Sequence, residues 1–488
     1  MWVFCCRALD SPRFHYDSQN NWRCGRVTSP RHIASARVMR FFGSPLAPMV
    51  ARPWLDTLSL MLLRRYFFPS SRLWAMAREA EGDIEHFGQN LALHRLRSRQ
   101  LMALRATLEY FERLRLKAYM VEQLWRDYFF GDAEVALERL LIAEEMRLDA
   151  RTAYNVSRRR FLPYRHLLQA SVKMMPPSPT EVTFRFGENG EGVDALFELP
   201  ATLPRVERSR SIPVPSGRDY WLRFESPAPQ MADTVYARVH EPPGVANPPT
   251  LIFGHGICVE FDHYHNLVDE VAGLTALGIR VVRPEAPWHG RRVLPGHFGG
   301  EQLLSTAPTG MFDFLAAQHR EWAVLIDWSR STSSGPVAIG GSSLGAQTAK
   351  SIAMRSGHWP RAWRPDALFA VIHTQHIAQT ALDSTLSDIW NLADALRGAG
   401  WRRELAEQWL LRLDPLATPS MPPESIVSVT GSRDNVTLES AANHQLDFWK
   451  VPASNRFSYR RGHFSTPLGM LRDVEPLHRL RQVLREID

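Results

Sequence analysis

The stretch PVAIGGSSLGA at residues 336–346 decides the fold. Its apolar first half predicts a strand, and the residues from Leu344 onward predict a helix. Between them, GSSLG matches the pattern G-x-S-x-G, in which small residues on both sides of a serine let a strand turn sharply into a helix. Such a turn exposes the Ser343 hydroxyl and strains its backbone, as a nucleophile requires. The alternative is a tight turn with incidental serines.

A serine nucleophile needs a base, and the base needs an acid that orients it. The segment TGSRDNVT places Asp434 in the loop after one predicted strand, and RRGHFS places His463 in the loop after the next. The chain order Ser, Asp, His is the order expected when such a turn lies on an α/β sheet. Three other acids lie in a segment with helical spacing, where acids are usually exposed: Asp383, Asp388 and Asp394.

From Thr250 onward, short apolar runs alternate with helical stretches, which is typical of a mostly parallel sheet with helices on both faces. Strands are predicted at 251–253, 280–283, 337–340, 368–372, 426–429 and 457–459. Helices are predicted near 268–278, 311–330, 344–355, 438–450 and 475–488. A further helical block at 375–413 contains three tryptophans, and insertions at this point commonly form a lid over a site.

The part of the chain before this pattern divides into two predicted regions. Residues 53–175 have amphipathic spacing and predict a helical N-terminal region, which the prolines of MPPSP end. Val182, Phe184 and Phe186 then alternate with polar residues, and GENGEG supplies a turn, so segment 176–219 is predicted to be a β-hairpin connector. Strands predicted at 220–225 and 234–240 open a catalytic domain at 220–488.

Residues 1–52 hold eight arginines and two acids without periodicity. Three interpretations stay open: a disordered or mis-started extension with the true start at Met39 or Met49, an Arg-rich transit peptide, and a functional arm. Of the four cysteines only Cys258 lies deep in the chain, so neither a disulfide framework nor a paired zinc spacing is indicated. This favours a reducing compartment, and we expect a cytoplasmic protein.

The composition excludes several classes of protein. With 488 residues, 44% hydrophobic and 22% charged, the chain is neither disordered throughout nor fibrous. A net charge of +7, from 58 basic against 51 acidic residues, does not indicate a nucleic-acid partner. No apolar stretch approaches the ~20 residues of a spanning helix, although the Arg-rich helices leave contact with a membrane surface open. No cofactor is expected, and the oligomeric state stays open.

Residues from about 220 to 488 resemble an α/β-hydrolase catalytic domain, on the motifs quoted above. The resemblance implies an α/β fold in which Ser343 is the nucleophile, His463 the general base and then acid, and Asp434 its orienting carboxylate. The segment FGHGI is similar to the family's His-Gly loop after the third strand. It implies an oxyanion hole made by the backbone N–H groups of Leu344 and Ile257.

Two further motifs, EFDHYH and RPEAPWHGRR, are loosely similar to abhydrolase-domain proteins and to the dienelactone hydrolase and prolyl-oligopeptidase group. Ser343 replaces the cysteine nucleophile of dienelactone hydrolases, and no propeller repeat is present. The candidates for the substrate pocket are His255, Gly256, Asp262 and His289. For His289 the alternative is a histidine satisfied by backbone groups. Asp262, His263 and His265 form a common loop composition in which no third ligand group is signalled, so no metal is predicted.

The sequence therefore predicts a carboxylesterase-like serine hydrolase that cleaves a small-molecule ester or related acyl substrate through an acyl-enzyme at Ser343. Two alternatives stay open. The same triad serves amide or carbon–carbon bond cleavage in a different pocket. A noncatalytic scaffold or membrane-peripheral protein would keep the fold and act through its Arg-rich helices.

Overall fold

A computed structural model describes residues 52–89, 91–259, 271, 273–414 and 417–487. Most of the N-terminal extension, as well as Asp262, His263 and His265, therefore lies outside the described residues. The strands of the described chain are β1 (Glu207–Arg208), β2 (Ile212–Val214), β3 (Gly217–Glu225), β4 (Thr234–Glu241), β5 (Thr250–Gly254), β6 (Arg280–Pro284), β7 (Val337–Ser342), β8 (Ala367–Val371), β9 (Ile426–Gly431) and β10 (Arg456–Tyr459).

All of these strands belong to one sheet, in the order β1-β3-β4-β6-β5-β7-β8-β9-β10, with β2 paired to β3. β3 and β4 are antiparallel to their neighbours, whereas β6, β5, β7, β8, β9 and β10 run parallel. The predicted mostly parallel sheet and each of its predicted strands are confirmed. Because the carboxyl ends of parallel strands lie at one edge, the loops after β7, β9 and β10 open on the same side.

The helices of the first half are α1 (Pro53–Leu62), α2 (Phe68–Ala80), α3 (Ile84–Gly88), α4 (Ser98–Phe130), α5 (Leu137–Val156), α6 (Pro179–Phe186) and α7 (Glu191–Leu196). Those of the second half are α8 (Glu301–Ser305), α9 (Thr309–Thr332), α10 (Leu344–Arg355), α11 (Ile377–Asp383), α12 (Thr385–Trp390), α13 (Leu392–Gly398), α14 (Arg403–Leu411), α15 (Glu439–Phe448), α16 (Ser465–Met470) and α17 (Glu475–Ile487). None of the described helices is long and apolar enough to span a bilayer.

Both faces of the sheet are covered by helices. On β5, Ile252 belongs to a core cluster with Trp322 of α9 and Ile352 of α10. Its neighbour Leu251 belongs to another cluster, with Leu480 of α17. Adjacent residues of a strand point to opposite faces of the sheet. Because helices bury both faces, the sequences of these strands are continuous apolar runs.

The predicted helical N-terminal region is present and shares a core with the sheet. Trp125 and Phe129 of α4 pack against Trp221 of β3, with ring centroids 5.1 Å apart in both pairs. The guanidinium of Arg147 from α5 lies 4.8 Å from the Trp125 ring centroid, a favourable cation–π distance. This region therefore folds onto the sheet and does not stand apart from it.

The prediction of a hairpin at 176–219 is wrong for its first part, which forms the helices α6 and α7. Ser178 and Glu181 form a reciprocal capping box with Pro179 at the first helical position, and both features favour a helix start. Val182 and Phe186 are buried one helical turn apart, while Phe184 points to solvent. The alternation suggested a strand, but burial follows the helical period. A hairpin does occur later, between β2 and β3.

The helix predicted near 268–278 is also wrong where it is described, because residues Thr275–Leu277 form only a 3-10 turn that Gly278 ends in a left-handed conformation. Residues 260–270 and 272 lie outside the described chain. The other helices predicted after Thr250 are confirmed, including the helical insert, which forms α11 to α14.

Phe184 and Phe186 offer a matched test of α6. Phe186 is 2% exposed and Phe184 is 93% exposed, so Phe186→Ala should lower the free energy of unfolding by about 3–5 kcal/mol. Phe184→Ala should change it by less than about 0.5 kcal/mol. Chemical denaturation of both variants measures the difference. Equal losses would contradict the helix, since a strand places both rings on one face.

Candidate active site

Ser343 lies between β7 and α10 with φ 55° and ψ −113°, a conformation that costs a residue with a side chain about 1–3 kcal/mol. Its backbone N–H donates to the carbonyl of Val371 at 3.0 Å, and its carbonyl accepts from the N–H of Gln347 at 3.0 Å. The strand on one side and the helix on the other thus hold the strained residue. The side chain is half-buried, so its hydroxyl is accessible at the carboxyl edge of the sheet.

The glycines of the turn are required by close backbone contacts. A Cβ atom at Gly341 would lie 2.2 Å from the carbonyl carbon of Gly345. A Cβ atom at Gly345 would lie 2.1 Å from the carbonyl oxygen of Gly254 in β5. Side chains at these positions would push α10 away from the sheet, and with it the backbone that sets the conformation of Ser343.

The structure brings Ser343, His463 and Asp434 together. His463 Nε2 lies 3.0 Å from Ser343 Oγ, and His463 Nδ1 lies 2.8 Å from Asp434 Oδ2. A carboxylate only accepts hydrogen bonds, so the imidazole proton sits on Nδ1 and leaves Nε2 free to accept from the serine hydroxyl. The imidazole and the carboxylate are both buried.

Asp434 is held in its ionised form. Its Oδ1 accepts from the N–H groups of Val436 and Thr437 at 2.8 and 2.9 Å, and its Oδ2 accepts from the Thr437 hydroxyl at 2.6 Å. Burial alone would raise the pKa of Asp434, but the charge of His463 and these hydrogen bonds hold that pKa below its ordinary value. Sequence reasoning missed Thr437, although it lies within the quoted segment TGSRDNVT.

Of the residues named for an oxyanion hole, Leu344 follows the serine directly and Ile257 belongs to a loop that runs beside it. Leu344 is the first residue of α10, and the first N–H groups of a helix have no acceptor within it and lie at its positive end. A Cβ atom at Gly256 would lie 3.8 Å from Ser343 Cβ, so the loop after β5 runs beside the nucleophile. Ile257 follows in this loop and is half-buried, like Leu344.

His255 and His289 brace this loop through backbone groups. His255 Nδ1 donates to the Gly256 carbonyl at 2.8 Å, and its Nε2 accepts from the Ala286 N–H at 3.3 Å. His289 Nδ1 donates to the Pro287 carbonyl at 2.8 Å, and its Nε2 accepts from the Cys258 N–H at 3.3 Å. Both ring nitrogens of His255 and of His289 are therefore hydrogen-bonded to backbone groups.

Both of these imidazoles are neutral near neutral pH. Burial lowers the pKa of His255 to about 4. Burial, and then the nearby His255, lower the pKa of His289 to about 3. Neutral rings match their hydrogen bonds, because each ring donates through one nitrogen and accepts through the other. Of the other pocket candidates, Gly256 lies beside Ser343, and Asp262 falls outside the described residues.

The two arginines that end RPEAPWHGRR anchor the loop after β6. Buried Arg292 binds both oxygens of Glu321 in α9 at 2.6 and 2.9 Å, and Asp233 at 2.8 Å. Arg291 donates to Glu122 of α4 at 2.7 Å. Such forked contacts to carboxylates are the geometry that arginine favours. The sequence did not predict these partners, because they lie in distant segments that carry no matching local pattern.

Apolar side chains next to the triad pack against the core of the protein. Leu344, Ile257 and Phe464 pack against a core cluster that includes Trp390 and Trp409 of the helical insert. Phe68 of α2 belongs to the same cluster. The insert and the N-terminal region therefore both belong to the core cluster against which these three residues pack.

Neither a family model nor a curated protein matches the chain. Many solved structures are similar to it over just over half its length, and three of them serve as examples. They are a cold-adapted esterase from an Arctic intertidal metagenomic library (14% identity, TM-score 0.38, 56% of this chain and 97% of that chain), acetyl xylan esterase 1 from Thermoanaerobacterium sp. JW/SL YS485 (14%, 0.39, 61% and 96%) and an S-formylglutathione hydrolase from Agrobacterium tumefaciens (15%, 0.36, 57% and 100%).

The assignment of the fold rests on the chain's own sheet order, on the strained serine between β7 and α10, and on the loops after β9 and β10 that meet it. The chain has the α/β-hydrolase fold that its sequence predicted.

Proposed function

We propose that the protein is a serine hydrolase that cleaves a carboxylic ester or a related acyl compound through an acyl-enzyme at Ser343. One observation carries the proposal: the hydroxyl on the strained turn lies 3.0 Å from the Nε2 of a histidine whose Nδ1 is bound to a buried carboxylate. This arrangement activates a weak nucleophile by general-base catalysis.

In the first step, Ser343 Oγ attacks the carbonyl carbon while its proton passes to His463 Nε2. The imidazolium that forms is stabilised by ionised Asp434 at 2.8 Å. The carbonyl oxygen becomes negative in the tetrahedral intermediate, and the N–H groups of Leu344 and Ile257 are the donors proposed for it.

The intermediate collapses when His463 returns the proton to the departing alkoxide, which leaves as an alcohol. Ser343 is then esterified by the acyl group. His463 removes a proton from water, the resulting hydroxide attacks the acyl carbon, and the proton returns to Ser343 Oγ as the carboxylic acid leaves. Leu344, Ile257 and Phe464 surround this site with apolar surface, which supports an apolar acyl group.

A fluorophosphonate probe tests the nucleophile. We expect labelling of the purified protein at Ser343, mapped by peptide mass spectrometry, and its loss in Ser343→Ala, because alanine has no hydroxyl at His463 Nε2 to attack the probe. Ser342→Ala is the matched control: its side chain is buried beside the turn and should leave labelling intact. Labelling of Ser343→Ala at another residue would contradict the assignment.

A substrate panel tests the bond that is cleaved. Nitrophenyl esters from acetate to laurate, matched nitroanilides and a β-diketone would be compared with the same enzyme. We expect turnover of the esters, with kcat/KM rising as the acyl chain fills the apolar surroundings of Ser343. Turnover of anilides or diketone without turnover of esters would refute ester hydrolysis while keeping the nucleophile.

Asp434→Asn tests the orienting acid. The variant should lose kcat by a factor on the order of 10⁴, since an amide stabilises neither the reactive tautomer nor the imidazolium. Because the pKa of Asp434 lies below its ordinary value, the wild-type residue is an ionised carboxylate at neutral pH.

The control for Asp434→Asn is Asp394→Asn, which changes an exposed acid of the insert. Its kcat should match that of the wild type. A wild-type kcat in Asp434→Asn would show that another acid serves His463.

A further inference from the structure

Asp56 of α1 is a buried acid that contacts the loop carrying His463, 408 residues further along the chain. Its side chain is 4% exposed. Its Oδ1 accepts from the N–H groups of Phe464 and Ser465 at 2.6 and 3.1 Å, and its Oδ2 accepts from the Ser465 hydroxyl at 2.5 Å. Hydrogen bonds to an ionised acceptor are about twice as strong as neutral ones.

These hydrogen bonds hold the backbone on both sides of His463. Gly462 donates its N–H to Ser465 Oγ at 2.9 Å, and that hydroxyl in turn donates to Asp56. A Cβ atom at Gly462 would lie 2.4 Å from Asp56 Cγ, so the loop is pressed directly against the carboxylate. The residue before His463 and the two residues after it are thus fixed by a single side chain.

Helix α1 is itself firmly placed. Leu60 of α1 belongs to the core cluster that contains Phe68 and Trp390, and Phe464 packs against the same cluster. The ring of Phe464 lies 5.3 Å from the His463 ring, edge to face. Helix α1 is therefore linked to the His463 ring in two ways. The Asp56 carboxylate binds the backbone next to His463, and the Phe464 ring packs against both His463 and the cluster that contains Leu60.

We propose that Asp56 is a positioning residue for the reaction: α1 holds His463 in line with Ser343 through the Asp56 carboxylate. This inference rests on the proposed function of Ser343 and His463. The contact at stake is the 3.0 Å distance from Nε2 to Oγ, and a displacement of about 1 Å at such a contact can cost about 10²-fold in rate. Helix α1 is accordingly part of the catalytic unit.

Asp56→Ala in the full chain should lower both kcat and the rate of fluorophosphonate labelling by about 10- to 100-fold, with KM changed by less than about 3-fold. Asp56→Asn keeps one acceptor oxygen and should fall between Asp56→Ala and the wild type. Amide hydrogen exchange of the peptide containing Phe464 and Ser465 should accelerate in the same order, because these N–H groups lose their acceptor.

Leu73→Ala is the control for a merely structural effect. Leu73 is fully buried in α2, in a cluster with Phe111 and Phe161, so the substitution should lower the melting temperature while kcat stays at the wild-type value.

Ser465→Ala removes the hydroxyl that links Gly462 to Asp56. Because both residues act through one contact, the double variant with Asp56→Ala should lose less than the product of the two single losses.

A folded Asp56→Ala protein with wild-type kcat and wild-type labelling overturns the inference while leaving the proposed function intact. If Asp56→Ala does not fold, Asp56→Asn and Ser465→Ala decide the question by the same readouts. If the wild type is not labelled at Ser343, the proposed function fails. Unchanged hydrogen exchange at Phe464 and Ser465 in Asp56→Asn would then refute the structural half of the inference as well.

Discussion

The geometry of the site depends on the backbone of Ser343 at φ 55°, which in turn depends on the close contact between α10 and the sheet. Gly345 touches the carbonyl of Gly254, and Gly341 touches Gly345, at distances that leave no room for a Cβ atom. The strain at Ser343 persists because the strand and the helix on either side are fixed by these contacts. The same packing sets the direction of the Leu344 N–H group.

Buried charged groups then fix the loops that meet at this turn. Asp434 fixes the His463 ring, Asp56 fixes the backbone around that histidine, and Arg292 ties the loop after β6 to Glu321. Burial of a charge is costly unless hydrogen bonds satisfy it, so the partners of each charged group must lie within hydrogen-bond distance of it. These charged groups therefore fix the conformation of the loops.

The parts of the fold and site that follow local patterns were predictable from the sequence. The strands after Thr250 appear as short apolar runs, and Ser343, Asp434 and His463 each follow such a run in the expected chain order. The first half of the connector was predicted wrongly, because the alternation of Val182, Phe184 and Phe186 fits a strand, whereas only Val182 and Phe186 share one side of a helix. The capping pair of Ser178 and Glu181 was the signal that favours the helix.

Long-range pairs account for what sequence reasoning missed. The contact of Asp56 with Ser465 spans 409 residues, and that of Arg292 with Asp233 spans 59. No periodicity or motif marks such pairs, since each partner alone is an ordinary polar residue on a helix or loop. The backbone partners of His255 and His289 likewise emerge only when two loops are brought side by side.

The most direct test of the proposed acyl-enzyme mechanism is a crystal structure of the protein after reaction with a phosphonate ester that mimics the tetrahedral intermediate. The mechanism predicts a bond from phosphorus to Ser343 Oγ, with the phosphonyl oxygen about 3 Å from the N–H groups of Leu344 and Ile257. His463 Nε2 should stay within hydrogen-bond distance of Oγ. An unmodified Ser343, or a phosphonyl oxygen turned away from both N–H groups, would contradict it.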